Sequence, residues 1–437
     1  MVLACWIGPS PDRPDSEDEA DADADADSDT DADADGDADS DADSDPRWLE
    51  GEVLASSPRL ASGQGLARAT VADLNGDGVG DLVLGAPLAG GGRGLLWTLP
   101  GPLDAADLDV QANAQLANGE RIAETTGRAD SGLGAELYTA GGQVVAMGYE
   151  DFTATVYLFG TLPAGDADQV WSGRFEVDHG TTAFRPVLNV GSDRWLLTSP
   201  PANVVYVSQG PVTGTADAGA LLQVKAPGGT LVDNGPGDAT AVVRDGEPTV
   251  FLNIQDGGGN TALWNTTTLQ EGLNYLDDAS QLTGVSALWS PGDIDGDGQQ
   301  DLVAALSEER GTLGVFTTLP YDDTTTALQD APLLITTNQP WGLGGEVHRV
   351  GDLDGDGADE LWLATVDGRA LLIWGGPALE SGGTTGLLEQ GQAVNVSCQE
   401  ASCGAVVGGG GDLDGDGRPD LILGDGDQAV WLLLSAP

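Results

Sequence analysis

The chain has 437 residues and carries 71 acidic against 16 basic side chains, a net charge of −55. That balance excludes a nucleic-acid binder, because phosphate contacts need basic stripes, and it favours solubility and cation binding. No run reaches the roughly 18 apolar residues of a membrane-spanning helix, and a length that suggests about three ordinary domains also suits one closed ring of repeats, a single domain.

Residues 1–14 open with Val2-Leu3-Ala4-Cys5, which resembles the lipobox of bacterial lipoproteins, where the Cys is acylated once a signal peptide is removed. Acylation of Cys5 implies an exported protein at the cell envelope or cell surface, touching a membrane only through that anchor. From 15 to 45 Asp alternates with Ala, Ser, Thr or Gly. Such a run repels itself and buries nothing, so 15–47 is predicted to be a disordered spacer, reaching on the order of 100 Å at roughly 3.3 Å per residue. A weak calcium sponge is the alternative reading.

Beyond residue 48 the chain is punctuated by four copies of one nine-residue acidic loop: DLNGDGVGD from Asp73, DIDGDGQQD from Asp293, DLDGDGADE from Asp352 and DLDGDGRPD from Asp412. Carboxylates or an amide stand at positions 1, 3, 5 and 9, with Gly at 4 and 6 letting the backbone curl. Calcium, a hard cation, takes about six to eight oxygens, and a carbonyl at position 7 plus water completes such a shell. The opening matches an EF-hand, but position 12, which there must be Glu, is Leu84, Ala304, Leu363 and Leu423. Each loop is followed by a short apolar run such as Leu82-Val83-Leu84-Gly85, so it bridges two strands rather than two helices.

The spacing sets the architecture. Asp293, Asp352 and Asp412 lie 59 and 60 residues apart, and Asp73 stands 220 before Asp293, close to four further intervals. Gly65, Gly284, Gly344 and Gly404 recur eight or nine residues before each first Asp. In the gap, Leu133 to Leu137 mirrors Leu343 to Val347, with the acidic loop shrunk to a Gly141-Gly142 turn. Two more units turn at Gly191 to Arg194 and at Asp245 to Pro248. Seven units of short, Gly-rich, evenly spaced strands predict an all-β, seven-bladed β-propeller of four-stranded blades over 48–437.

The first unit resembles the FG-GAP, or VCBS-like, repeat family, best known from the propellers of integrin α chains. Gly65 to Pro100 contains the first acidic loop followed by Gly85-Ala86-Pro87, the family's GAP, while Gln64-Gly65 stands where the family has Phe-Gly. The resemblance implies calcium held in β-hairpin loops on one face, about four ions in all. Carried over, the ligands are Asp73, Asn75, Asp77 and Asp81 with the carbonyl of Val79; Asp293, Asp295, Asp297 and Asp301 with that of Gln299; and Asp412, Asp414, Asp416 and Asp420 with that of Arg418. The third set is Asp352, Asp354, Asp356 and the carbonyl of Ala358, with Glu360 in place of Asp at position 9. Plain Asp-Gly turns on an acidic protein are the competing reading.

Cys398 and Cys403 lie close enough in sequence for a disulfide, leaving Cys5 for lipid, which accounts for an odd thiol in an exported protein. Zinc fits poorly, since two thiols lack further ligands nearby. His179 and His348 are isolated, with no HExxH or G-x-S-x-G, and read as packed or surface side chains, His348 on a strand beside the third loop. Trp97, Trp362, Trp374 and Trp431 lie in or end apolar runs and read as core. The expectation is therefore a non-enzymatic, calcium-stabilised, monomeric binding or adhesion module for a protein or glycan ligand. The alternatives are a polysaccharide hydrolase or lyase, or a passive envelope scaffold.

Overall fold

A computed structural model describes residues 5–7 and, between 68 and 433, the strands and the four acidic loops with the turns beside them. Residues 1–4, 8–67, 434–437 and most connecting segments lie outside the described residues. The predicted spacer, His179 and Cys403 all fall there, so the Cys398–Cys403 pairing does too.

The fold is all-β, and its strands fall into seven sheets among the described residues. The first sheet runs Arg68–Ala72, Asp81–Ala86, Leu95–Leu99 and Ala123–Thr126, each antiparallel to the one before. The same four-strand meander recurs from Leu137–Ala140, Arg185–Asn189, Ala239–Arg244, Ala287–Trp289 and Glu346–Arg349. The seventh sheet has three described strands, Val406–Gly411, Asp420–Gly424 and Val430–Leu433. The predicted turns fall where expected, since Leu137–Ala140 and Gln143–Glu150 flank 141–142, and Arg185–Asn189 and Trp195–Ser199 flank 191–194.

Four strands per sheet proves too few. Sheets one to five each gain a parallel strand from the connection between the third and fourth strands of the next sheet, and the fourth also takes Thr230–Leu231 against Glu247–Asp256. Gly165–Asp166 adds to Ala123–Thr126, and Gly214–Asp217 adds to Gly173–Val177. Leu273–Tyr275, Thr325–Ala327 and Gly382–Gly383 repeat the device. The outer edge of each of these five sheets is thus covered in part by its successor, the usual protection of an edge strand. The sixth sheet instead takes Cys5–Ile7, antiparallel to Ala393–Cys398, with Cys5 opposite Cys398. The helix Thr384–Glu389 was not foreseen either.

The cores lie between consecutive sheets. Val83 and Leu96 of the first pack with Leu137 and Val144 of the second, and Val205 and Val224 of the third with Ala241 and Leu252 of the fourth. Phe251 meets Leu302 and Phe316, and Val303 and Val315 meet Leu361 and Leu371. Strands such as Asp81–Ala86 and Leu361–Ala364 are buried at every position. That is why they read as unbroken apolar runs: both faces are covered. Trp362 and Trp374 are core, as expected. First strands of the first to fifth sheets touch in turn, the fifth and sixth sheets share a core, and the first strand of the seventh touches those of the sixth and the first, so the contacts return to their start.

Candidate metal centres

Each acidic loop joins the first and second strands of its sheet, in the first, fifth, sixth and seventh sheets. Position 1 folds back over the loop: Asp293 Oδ1 accepts the N–H of Gly296 at 2.9 Å and of Asp297 at 3.0 Å, and Oδ2 that of Gly298 at 2.6 Å. Asp73, Asp352 and Asp412 hold the corresponding glycines in the same way. Position 5 accepts the N–H of position 7, as in Asp416 Oδ1 to Arg418 at 2.9 Å. Both glycines of every loop have positive φ, from +76° at Gly296 to +98° at Gly357, a conformation that side chains with a Cβ resist. The predicted curl is therefore present four times.

Position 9 pins the far end. Asp81, Asp301, Glu360 and Asp420 have no solvent exposure, and each accepts the N–H of position 2, from Glu360 to Leu353 at 2.5 Å to Asp81 to Leu74 at 2.7 Å. One oxygen of each buried carboxylate is thus committed to the backbone.

Three loops gather acids tightly. Oxygens of Asp352, Asp354, Asp356 and Glu360 lie within 4.8 Å of one another, as do those of Asp293, Asp295 and Asp297, and those of Asp412, Asp414 and Asp420. The first loop does not assemble such a group: Asn75 stands at position 3, and its Nδ2 donates to Asp77 Oδ2 at 2.9 Å. Burial and neighbouring carboxylates raise the Asp354 and Asp414 carboxyls above their ordinary range, the backbone bonds opposing them.

The third loop carries the most telling atom. Glu360 Oε1 is buried with no hydrogen-bond partner. Burial first, then the charges of Asp354, Asp352 and Asp356, push this carboxyl up to about 9. A fully buried carboxylate oxygen without a donor is costly, and its position among three further carboxylates fits a divalent cation. The longer Glu, which looked like a departure from the pattern, reaches the cluster.

The loops are also tied to one another. Asp359, at position 8 of the third loop, donates its main-chain N–H to the Asp293 carbonyl at 2.5 Å, while its Oδ2 accepts the Asp293 N–H at 3.0 Å. Gly80, at position 8 of the first loop, donates to the Asp412 carbonyl at 2.6 Å, and Leu103 to that of Leu413 at 2.7 Å. These position-8 residues were missed in the sequence, where they carry no ligand signature and act on a different repeat.

A charged cluster stands apart from the loops. Arg68 Nη1 lies 3.4 Å from Glu346 Oε2, and His348 Nε2 lies 3.2 Å from Glu346 Oε1. Burial would raise the Glu346 carboxyl, but His348 and Arg68 outweigh it and hold it at about 2. His348 sits on Glu346–Arg349, the strand leading into the third loop, as expected.

Residues 67–99 match the FG-GAP repeat family; this chain carries an FG-GAP repeat in its first unit, including Gly85-Ala86-Pro87. No curated protein matches the chain. Among solved structures the chain is similar to the Dos1 propeller, at 11% identity and TM-score 0.45, covering 87% of this chain and 95% of that one. It is also similar to BBS1N in its lead-soaked complex with ARL6DN, at 11% identity and TM-score 0.45, covering 87% and 97%.

Proposed function

We propose that this protein is a seven-bladed β-propeller whose acidic loops bind calcium, and that it serves as a protein-interaction or adhesion module rather than as an enzyme. Seven sheets in cyclic contact and the FG-GAP match support the architecture. The observation that carries the calcium reading is the unpartnered, buried Glu360 Oε1 among Asp352, Asp354 and Asp356. Calcium would supply the positive charge that these carboxylates lack. Asp293, Asp295 and Asp297, and Asp412, Asp414 and Asp420, would hold further ions, and the carbonyls of Gln299, Ala358 and Arg418 would complete the shells.

What the chain itself does is position. Each position-1 Asp clamps its loop, each position-9 acid ties the loop to its strand, and the cation would neutralise oxygens that otherwise repel. Rigid hairpins then present the neighbouring loops to a protein or glycan partner. Display at a cell envelope through a lipid on Cys5 is the setting that the Val2-Leu3-Ala4-Cys5 stretch and the acidic tract after it support. Elemental analysis of the purified chain together with a glycan and matrix-protein array, run with and without calcium, tests the reading. Stoichiometric calcium and calcium-dependent capture are expected; absence of bound calcium overturns it.

A further inference from the structure

The four loops are not equivalent in how they meet. Position 8 of two loops faces the glycine that precedes the first Asp of the loop one sheet earlier: a Cβ at Gly292 would collide with the Asp359 carboxylate, and one at Gly351 would lie 3.5 Å from Pro419 Cγ. In two of the three junctions the position-8 N–H bonds to the position-1 carbonyl of the earlier loop, Asp359 to Asp293 and Gly80 to Asp412. At the junction between them position 8 is Pro419, which has no N–H to give to Asp352.

We infer that the loops 293–301 and 352–360 are coupled, and that Pro419 insulates this pair from the loop 412–420. This rests on the proposal that the loops bind calcium. Asp359 is the transmitting residue in the pair. It lies between Ala358 and Glu360, both in the metal set of its own loop, while its main chain and carboxylate grip both polar groups of the Asp293 peptide nitrogen and carbonyl. Gly376 adds a further bond, donating to the Ile294 carbonyl at 2.7 Å. An ion that draws Glu360 inward therefore orders the first residue of the neighbouring site, so the second ion finds its loop already set; such coupling is reciprocal.

Hydrogen exchange of the full chain across a calcium titration, with calcium alone as probe, reads each loop separately. The expected result is a shared midpoint for 293–301 and 352–360. Glu360→Gln should move both midpoints to higher calcium by about fivefold or more, leaving 412–420 and 73–81 in place. Asp359→Pro retains every ligand side chain of its loop, removes the position-8 N–H as Pro419 does, and should separate the two midpoints, which guards against a Glu360 variant that simply misfolds. Independent midpoints for 293–301 and 352–360 with calcium still bound at both, or a Glu360→Gln shift spread equally to 412–420, overturn the pairing and leave the calcium reading standing. Exchange that does not respond to calcium in any loop overturns both.

Discussion

Arg68 of the first sheet reaches Glu346 of the sixth, Nη1 to Oε2 at 3.4 Å, across the first strand of the seventh. Glycines in that strand make the approach possible: a Cβ at Gly408 would sit 2.5 Å from the Ala69 carbonyl oxygen, and one at Gly410 would sit 3.2 Å from that of Arg349. The side-chain-free stretch Gly408 to Gly411 lets the first and sixth sheets approach each other across the seventh. A buried carboxylate with an arginine and a histidine beside it then spans the junction.

Removing the Glu346 charge should loosen that junction in a pH-dependent way. Its carboxyl is held at about 2 in the fold against an ordinary 4.5, so its stabilisation is complete above about pH 4.5 and is lost as pH falls towards 2. Glu346→Gln should cost at most about 3 kcal/mol near neutral pH. In denaturant titrations the gap between variant and wild type should close between pH 4.5 and 2; a gap independent of pH would remove the ionic account.

Two glycine substitutions should fail for different reasons. Gly408→Ala meets the Ala69 carbonyl and should cost about 1–3 kcal/mol through overpacking. Gly298→Ala has open space around it but a φ of +86°, and should cost about 1–2 kcal/mol from backbone strain alone. Replacing Gly298 by Asn, which tolerates that conformation, should recover part of the loss, whereas Gly408→Asn should be worse than Gly408→Ala. Equal rescue at both sites would contradict the distinction.

Chelation should lower the melting temperature. A ligand bound only by the folded state at a hundred times its dissociation constant stabilises by about 2.7 kcal/mol per site. Asp297→Ala and Asp416→Ala should each shrink the calcium-dependent shift. Exchange after chelation should rise first in 68–103 and 284–433, which hold the loops, and later in 137–264. A rise that begins in the middle sheets would place calcium's contribution elsewhere.

Anchoring can be tested by fractionation. With an export signal supplied, the full chain should partition with membranes and Cys5→Ala should be released, since stable attachment needs more than one acyl chain, as a multiply acylated lipoprotein end provides. Equal release of both forms would eliminate the lipid on Cys5.

Much of the fold was legible because it is written locally. The acidic loop, its glycines and the apolar run after it recur within one repeat, so Asp73, Asp293, Asp352 and Asp412 marked four hairpins correctly, and the Gly141-Gly142 turn exposed a fifth with no acid left. Short-range pattern also placed Trp362 in the core, because a strand covered on both faces leaves an unbroken apolar run. What a single repeat cannot encode is which group of another repeat it will face. Glu346 and Arg68 lie 278 positions apart, Asp359 clasps a loop in the preceding sheet, and Pro419 matters only for an N–H it withholds from Asp352. The borrowed fifth strands and the pairing of Cys5 with Cys398 belong to the same class. Each depends on the order in which sheets come alongside one another, and that order brings polar groups together without leaving any periodicity in the chain.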